Sequence, residues 1–373
     1  MLGKRKRTNP FKPTAGAEPP VLAGRQKVID DFTDGLAEGP GAPGRLMRIT
    51  GPRGSGKTVL LTELGDIAGK RGWLVVDVTA RKGLCGELVR RLSSGGVDAE
   101  LSADIDLGVF KAHAGMASAD AARDFRSALT AAAGRFAETG VMVTVDEVQN
   151  ADLADMTEIA TSVQHLIREK RNVAFVFAGI TTGVLDFIND SALTFLRRAK
   201  AEELAAIPIR DVEAALKVTF EDTGLAVEAD CLAKAAEATD GYAFMVQLVG
   251  YHVWRAAARH AAESTAVTMG DVDAGVSEAF AEYDEAVIAP ALAGLSERAM
   301  LFLIEMAKVG GSASTGEVAE GLGVPSTSLS SARKTLMSRQ IIESPARGRV
   351  RFSVPRLKEY LDANVDDLIA RFE

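Results

Sequence analysis

Residues 51–58 read Gly51-Pro52-Arg53-Gly54-Ser55-Gly56-Lys57-Thr58, which fits the Walker A pattern G-x-x-x-x-G-K-[ST]. The apolar run 46–50 precedes this stretch and an amphipathic pattern opens at Val59, so we expect a loop between a buried strand and a helix. Glycines let backbone N–H groups curl around phosphate oxygens, and a helix N-terminus adds partial positive charge. We therefore predict a bound nucleoside triphosphate, with Lys57 reaching its β- and γ-phosphates and Thr58 offering a hydroxyl to Mg²⁺.

A second predicted strand, residues 141–145, ends in two carboxylates, Asp146 and Glu147. Ligands of parallel α/β sheets lie at the carboxyl ends of the strands, which is also where Thr58 is expected. Asp146 can hold the metal through its waters, and Glu147 can polarise the attacking water. Adjacent carboxylates in this arrangement favour hydrolysis over phosphoryl transfer to another substrate. The alternative is an ordinary strand that runs into an acidic turn.

Two pairs of polar residues follow the next predicted strand, 173–178. Thr181 or Thr182 could hydrogen-bond the γ-phosphate or the lytic water, and the alternative is a threonine that only caps a loop. Arg197 and Arg198 lie on a predicted helix before the last strand, from where an arginine could reach the γ-phosphate of a neighbouring subunit. The alternative for this pair is a solvated helix face with a salt bridge.

The pattern of elements divides the chain into four parts. Residues 1–20 are rich in Lys, Arg, Pro and Gly, so we expect a flexible basic tail. Alternating strands and helices over 21–208 predict an α/β core with a five-stranded parallel sheet, whose last strand lies near 204–208. Residues 209–290 read as all-helical. Residues 291–373 read as three helices and a β-hairpin, the order of a winged helix-turn-helix.

Composition excludes several classes of protein. The 373 residues are 47% hydrophobic and 25% charged, which is ordinary for globular domains. No run of about 18 apolar residues predicts a membrane span, and no apolar stretch follows the basic N-terminus as in a secretory signal. The two cysteines, Cys85 and Cys231, lack CxxC spacing, which favours a reducing cytoplasm over a disulfide framework or a zinc site.

The net charge of −8 is unevenly distributed along the chain. Residues 333–358 contain eight basic residues and one acidic residue, and residues 1–12 contain five basic residues and no acidic one. The third helix and the wing of a winged helix both face duplex DNA in the usual docking. Six basic residues on these two elements are therefore predicted phosphate contacts: Arg333, Lys334, Arg339, Arg347, Arg349 and Arg351.

Two alternatives to DNA contact by these residues stay open, and the role of the basic N-terminal run is open as well. Some of these arginines could pair with the acidic helical part of the chain as an autoinhibitory contact. Winged helices also serve as plain protein-interaction modules, so the fold alone does not decide. The basic run Lys4-Arg5-Lys6-Arg7 could add a phosphate contact or act only as a solubilising tail.

These motifs together resemble the AAA+ P-loop ATPases, in particular the origin-recognition and replication-initiator branch of archaeal-type ATPases with a C-terminal winged helix. The stretch 21–25 resembles the Gly-Arg box of that family, so the resemblance implies that Gly24 and Arg25 lie near adenine. The stretch 240–248 resembles the first residues of the lid helix, which often carries an arginine that senses the γ-phosphate. No arginine stands at that place here.

The resemblance implies ATP and Mg²⁺ as ligands, duplex DNA as a partner and a nucleotide-dependent homo-oligomer. The leading hypothesis is a cytoplasmic ATP-hydrolysing AAA+ protein whose nucleotide state controls a DNA-associated assembly through its winged helix. The alternative is a signalling switch or adaptor of the STAND type that binds a protein partner. Such proteins usually append long sensor repeats, whereas this sequence ends at Glu373. We therefore favour the first hypothesis.

Overall fold

The structure of the chain is a computed structural model that describes residues 8–14, 16–94, 124–260, 265–346 and 348–372, without the side chains of Thr182, Asp186, Ser191 and Ala192. The chain divides into two units. We call Gly24–Gly51 with Gly56–Ala205 the sheet unit. The helical unit consists of the described residues of Met1–Ala23, Pro52–Ser55 and Ala206–Glu373. The four-part division predicted from the sequence stays a prediction.

The sheet unit is built on five parallel strands in the order β2-β3-β4-β1-β5, which confirms the predicted parallel sheet. The strands are β1 Leu46–Thr50, β2 Leu74–Thr79, β3 Val141–Asp146, β4 Val173–Gly179 and β5 Lys200–Glu203. The central strands β3 and β4 are buried along their whole length. Both of their faces are covered, as is usual for a parallel sheet.

Apolar residues near 204–208 predict the last strand, but that prediction is wrong, since β5 is Lys200–Glu203. Among the described strands β5 pairs with β1 alone and lies at the sheet edge, and its side chains alternate between half-buried and exposed. Lys200 forms an ion pair of 2.6 Å with Asp31. An edge strand of this kind carries polar residues, and a search for apolar runs therefore passes over it.

Helices pack on both faces of this sheet. They are α1 Gln26–Glu38, α2 Lys57–Lys70, α3 Leu84–Ser94, α4 Phe125–Arg135, α5 Leu153–Arg168 and α6 Thr181–Asn189. Successive strand residues point to opposite faces, so β1 and β4 contribute to two cores. One core joins them to α1 and α2, and the other joins them to α3, α4 and α5. Short 3₁₀ helices lie at Pro43–Arg45, Val148–Asn150 and Ser191–Arg198.

The helical unit begins, after its N-terminal segment, with four helices. These are α7 Ile209–Asp222, α8 Ala229–Glu237, α9 Ala243–Arg259 and α10 Met269–Tyr283. Two short strands pair in parallel: β6 Ala226–Val227, between α7 and α8, and β7 Ala266–Val267, between α9 and α10. A π-helix at Asp284–Ile288 and α11 Ala289–Leu292 continue from α10. The strands are two residues long, which is too short for a periodic pattern to reveal them.

The N-terminal segment packs into this helical unit. Phe11 is only 2% exposed, and its ring centroid lies 5.2 Å from that of Phe220 in α7. Asn9 donates a side-chain hydrogen bond of 3.0 Å to the carbonyl of Tyr251. The prediction of a flexible tail over residues 1–20 is therefore wrong for this segment, because burial of one aromatic ring outweighs the Pro- and Lys-rich composition around it. The run Lys4–Arg7 lies outside the described residues.

The C-terminal part of the helical unit mixes short helices with a three-stranded antiparallel sheet. Its helices are α12 Glu297–Lys308, α13 Thr315–Gly321, α14 Ser330–Ser338, α15 Leu357–Ala363 and α16 Val365–Ala370, with a 3₁₀ helix at Ser326–Leu329. Its strands are β8 Ser312–Ser314, β9 Ile342–Glu343 and β10 Arg349–Phe352, in the order β8-β10-β9. The three helices and the hairpin occur where the sequence predicts them, while β8, α15 and α16 are additional.

One continuous hydrophobic core runs through the helical unit, from Phe11 and α7 to α15 and α16. Among the helices of the described ranges, none combines the length and the apolar composition that a membrane span requires.

Candidate active site

The loop between β1 and α2 has the backbone that a phosphate loop needs. Gly54 and Gly56 have φ angles of 70° and 90°, in the left-handed region that favours glycine. Lys57 begins α2 and is only 5% exposed. Its ammonium donates a hydrogen bond of 3.0 Å to the carbonyl of Gly51, so the side chain of Lys57 folds back over the loop.

Thr58 and Asp146 lie side by side, although 88 residues separate them in the sequence. The Thr58 hydroxyl donates a hydrogen bond of 2.6 Å to Oδ2 of Asp146. Asp146 ends β3, is only 8% exposed, and accepts a 2.8 Å hydrogen bond from the N–H of Glu147 through Oδ1. A hydroxyl and a carboxylate at hydrogen-bond distance form a pair of hard oxygen ligands of the kind that Mg²⁺ prefers. The donor set therefore fits a magnesium ion.

Glu147 follows directly in a left-handed conformation, with φ of 50°. Its carboxylate accepts a hydrogen bond from the side-chain amide of Gln149. The other end of that amide accepts a 3.2 Å hydrogen bond from the N–H of Ile180, the residue before α6. Gln149 thus fixes the carboxylate of Glu147 to the end of the neighbouring strand.

Sequence reasoning does not find Gln149, although a glutamine two positions after an acidic strand end is a usable signal. Two glycines make room for its side chain. A Cβ atom on Gly179 would lie 2.5 Å from Oε1 of Gln149, and one on Gly183 would lie 2.3 Å from its Cβ. Both distances are far below contact distance, so the space is already filled.

A polar cavity of about 470 Å³ opens at the carboxyl ends of β2 and β3, within the sheet unit. Thr58 and Asp146 line one side of it, and Asp77 and Arg81 lie among its other lining residues. Arg81 donates to the mostly buried Glu87 at 2.7 Å, which orients the guanidinium at this edge. The cavity is polar and large enough to hold water next to the two candidate metal ligands.

The two polar pairs after β4 take different positions. Thr181 is half-buried at the first residue of α6, and the side chain of Thr182 lies outside the described residues. Arg197 donates hydrogen bonds of 2.6 and 2.9 Å to the carbonyls of Ile188 and Asn189, at the C-terminal end of α6. Arg197 is therefore held by the end of α6, and its reach to a neighbouring subunit stays a prediction. Arg198 is exposed.

Gly24 and Arg25 lie at the start of α1. Gly24 has a φ of 65°, which favours glycine, and Arg25 is the N-cap residue of α1. The guanidinium of Arg25 donates a 3.2 Å hydrogen bond to the carbonyl of Ala205, just after β5. Burial lowers the pKa of this arginine from its ordinary value. The side chain of Arg25 thus connects the start of α1 to the residue pair after β5. Its position near adenine stays a prediction.

The six predicted DNA contacts also separate into groups. Arg339 donates 2.6 and 3.4 Å hydrogen bonds to the carbonyls of Ala293 and Gly294, and Arg351 binds Glu343 at 2.5 Å. Nearby acceptors hold these two side chains, and their contact with phosphates stays a prediction. Lys334 and Arg349 are exposed, and Arg333 is half-buried. Arg347 lies outside the described residues.

Residues 21–176 match the family described as the AAA ATPase domain. The protein is an ATPase. The match covers the loop of residues 51–58, Asp146 and Glu147, so it confirms the ATPase activity predicted from these motifs. Residues 285–361 of the ATPase match a family described as a domain of unknown function. No curated protein matches the chain.

Solved structures of low sequence identity have the same fold. The Walker-type ATPase of Pyrococcus abyssi is 16% identical with a TM-score of 0.62, over 91% of this chain and 96% of that one. The ORC2 protein of Aeropyrum pernix, solved as ADPNP–ADP complexes, is 18% identical with a TM-score of 0.60, over 96% of this chain and 97% of that one. The RuvB Holliday junction branch migration motor of Thermotoga maritima is 16% identical with a TM-score of 0.50, over 92% and 98%. At these identities the likeness shows the fold.

Proposed function

We propose that residues 51–58 bind ATP and that Thr58 and Asp146 hold its Mg²⁺ ion. The hydrogen bond between these two side chains carries the proposal, because it joins the helix after the loop to the end of β3 inside an AAA ATPase domain. Bound Mg²⁺ would neutralise charge on the β- and γ-phosphates. The Aeropyrum pernix protein of the same fold was solved with ADPNP and ADP, which supports a nucleotide here.

The other residues of the loop make different contacts with the nucleotide. Arg53, Gly54, Ser55 and Gly56 contribute backbone N–H groups to the phosphates, and Lys57 contributes positive charge to the β- and γ-phosphates. Pro52 has no N–H and restricts the backbone of the loop instead. Gly24 and Arg25 are assigned to the adenine end.

We assign Glu147 as the general base that takes a proton from the attacking water. The amide of Gln149 holds its carboxylate in one orientation, so Gln149 acts as a positioning residue. A base must lie within hydrogen-bond reach of the water, and a fixed carboxylate meets that requirement at a smaller entropic cost than a mobile one. Thr181 or Thr182, at the start of α6, supplies the hydroxyl for the γ-phosphate or the water.

The C-terminal elements from α12 to β10 are proposed to form a winged helix that binds duplex DNA. The order helix, strand, helix, helix and antiparallel hairpin supports this assignment. Lys334 on α14 and Arg349 on β10 are exposed basic residues on the helix and the wing. The RuvB structure of the same fold is described as a Holliday junction motor, which supports DNA as a partner. Nucleotide state would then control a DNA-associated assembly.

We propose a cytoplasmic location because the two cysteines carry free thiols. Cys85 and Cys231 are both free and buried. Burial raises the pKa of both thiols, so they are unreactive core residues. Free thiols of this kind suit a reducing compartment.

The experiment that tests the nucleotide site compares the wild type with Lys57→Ala, using calorimetry for MgATP binding and phosphate release for turnover. The variant is expected to lose measurable binding, because it removes the charge that meets the β- and γ-phosphates. Unchanged affinity would refute the assignment of the loop. Duplex DNA added to the wild type is expected to raise the turnover rate. No effect of DNA, together with co-purification of a protein partner, would favour the signalling alternative instead.

Turnover measured at increasing protein concentration tests the oligomer in the same assay. Arg198 is exposed, so we propose it as the arginine that reaches a neighbouring subunit's γ-phosphate. Specific activity should rise with concentration in the wild type and stay flat in Arg198→Ala. Concentration-independent activity of the wild type would remove this role.

A further inference from the structure

The tip of the phosphate loop is held by the first residues of α9. The hydroxyl of Tyr242 donates a 2.8 Å hydrogen bond to the carbonyl of Arg53. The N–H of Phe244 donates a 3.3 Å hydrogen bond to the carbonyl of Gly54. All four residues belong to the helical unit, since Pro52–Ser55 group with it. Two consecutive carbonyls of the loop therefore accept hydrogen bonds from one helix start.

The approach of the Tyr242 side chain to the loop is close enough to require glycine. A Cβ atom on Gly54 would lie 1.9 Å from the hydroxyl oxygen of Tyr242, and Gly54 also has a φ of 70°. The sequence pattern G-x-x-x-x-G-K-[ST] does not specify this third glycine. The need for glycine at position 54 thus has two causes, the close approach of Tyr242 and the backbone conformation of the loop.

The local backbone sets the position of Tyr242. Asp240 and Gly241 both have positive φ angles, 48° and 66°, and this turn places Tyr242 as the N-cap residue of α9. A Cβ on Gly241 would lie 2.2 Å from the carbonyl oxygen of Ile207, so the turn is packed against the chain before α7. The ring of Tyr242 meets that of Tyr283 edge-on, with centroids 6.1 Å apart. Tyr242 is therefore a rigid donor.

The hydroxyl of Tyr242 also keeps its proton. Burial raises the pKa of Tyr242 to about 12. At neutral pH the side chain is a neutral phenol that can donate a hydrogen bond to a carbonyl.

The orientation of a carbonyl decides the orientation of the next N–H. A trans peptide group is planar, so its C=O and N–H point in opposite directions. Because Tyr242 holds the carbonyl of Arg53, the N–H of Gly54 points away from Tyr242. The bond from Phe244 fixes the Gly54–Ser55 peptide in the same way.

We propose that Tyr242 is a positioning residue of the ATPase, whose hydroxyl pre-orients the Arg53–Gly54 peptide so that its N–H is available to a phosphate oxygen of the nucleotide. The inference rests on the proposed nucleotide site. Through these hydrogen bonds, the position of the start of α9 depends on the orientation of the peptide groups at the loop tip. A change of peptide orientation in the loop breaks the hydrogen bond to α9, and a displacement of α9 frees the peptide.

Tyr242→Phe tests the proposal, because it keeps the ring and removes only the hydroxyl. The matched control is Tyr251→Phe, which removes a hydroxyl from the same helix. We expect the Kd for MgATP to rise about three- to tenfold in Tyr242→Phe, the equivalent of one neutral hydrogen bond, and to stay unchanged in the control. KM should rise with Kd while kcat stays within about twofold, because pre-orientation of a binding group acts on bound substrate and transition state alike.

Thermal unfolding without nucleotide separates this role from a structural one. Tyr242→Phe should unfold within a few degrees of Tyr251→Phe, yet gain less thermal stability when MgATP is added. An affinity equal to the wild type would overturn the proposal, and so would a weakened kcat with unchanged KM. Lys57→Ala distinguishes a failure of the proposed role of Tyr242 from a failure of the nucleotide site itself. If Lys57→Ala abolishes binding and Tyr242→Phe does not weaken it, only the role of Tyr242 is lost, whereas full binding by Lys57→Ala would also remove the site.

Discussion

Glu147 has a backbone conformation that residues with side chains adopt only at a cost. A φ of 50° places it in the left-handed region, where a non-glycine residue is strained by roughly 1 kcal/mol. Such strain persists where surrounding contacts hold the residue, and here the amide of Gln149 supplies one of them. The conformation turns the chain out of β3 directly after Asp146, and the two carboxylates have different partners, Thr58 for Asp146 and Gln149 for Glu147. One carboxylate can then serve a metal ion while the other serves a water molecule.

Glu147→Gln should bind MgATP with an affinity within about threefold of the wild type and lower kcat by roughly 10²- to 10⁴-fold. The reason is that an amide cannot accept the proton of water, while the shape of the side chain is kept. Single-turnover hydrolysis and calorimetry measure the two quantities. Glu138→Gln, at an exposed position of the same unit, is the matched control and should behave as the wild type. Retained turnover in Glu147→Gln would exclude Glu147 as the base.

At the scale of elements, the accuracy of the sequence predictions follows element length and burial. The buried strands β1, β3 and β4 lie within one residue of the predicted stretches 46–50, 141–145 and 173–178, because a buried strand is a clear apolar run. β5 is missed because it is a polar edge strand, and β8 because three residues carry no period. Ser314 and Glu317 form a complete capping box at the start of α13.

The basic residues of α14 and β10 give a prediction at this scale. Lys334→Ala combined with Arg349→Ala should weaken binding to duplex DNA and reduce the slope of log affinity against log salt by about two units, one for each lost phosphate contact. Fluorescence anisotropy at several salt concentrations measures both effects. Arg210→Ala with Lys217→Ala removes the same charge from the exposed face of α7 and is the control. If both double variants bind alike, the DNA-binding surface is not on α14 and β10.

At the scale of the whole molecule, the helical unit is stabilised by a histidine held between two carboxylates. His252 on α9 is only 5% exposed, and its ring nitrogens lie 3.0 Å from Glu278 and 2.7 Å from Glu282 of α10. The hydrogen bond from His252 lowers the pKa of Glu278 below its ordinary value of 4.5, with a further contribution from Arg259. Burial raises the pKa of Asp271, but hydrogen bonds from Thr268 and His260 outweigh it and the pKa is lowered overall. Ionisation strengthens the contacts of Glu278 with His252 on α9 and of Asp271 with His260, the C-cap residue of α9.

The free energy of unfolding should therefore fall in acid. A carboxylate with a depressed folded pKa contributes stability above its unfolded pKa and loses that contribution as the pH falls through the folded value. We expect urea denaturation to show a steady decrease in stability below about pH 4.5, with a shallower decrease in His252→Gln. His165→Gln on α5 is the control and should keep the wild-type slope. Equal slopes in both variants would show that the α9–α10 network does not contribute.

The phosphate loop, the strand that ends in Asp146 and Glu147, and the alternation of strands and helices can all be read from the amino-acid sequence, because each depends on residues next to one another in the chain. Which side chains meet depends on the folded chain. It joins Thr58 to Asp146, places Gln149 on Glu147, puts Tyr242 on the loop tip, and commits Arg197, Arg339 and Arg351 to nearby acceptors. The physical reason is that periodicity and motifs are local, whereas hydrogen bonds between distant residues depend on how buried faces pack, and packing is a property of the folded chain as a whole.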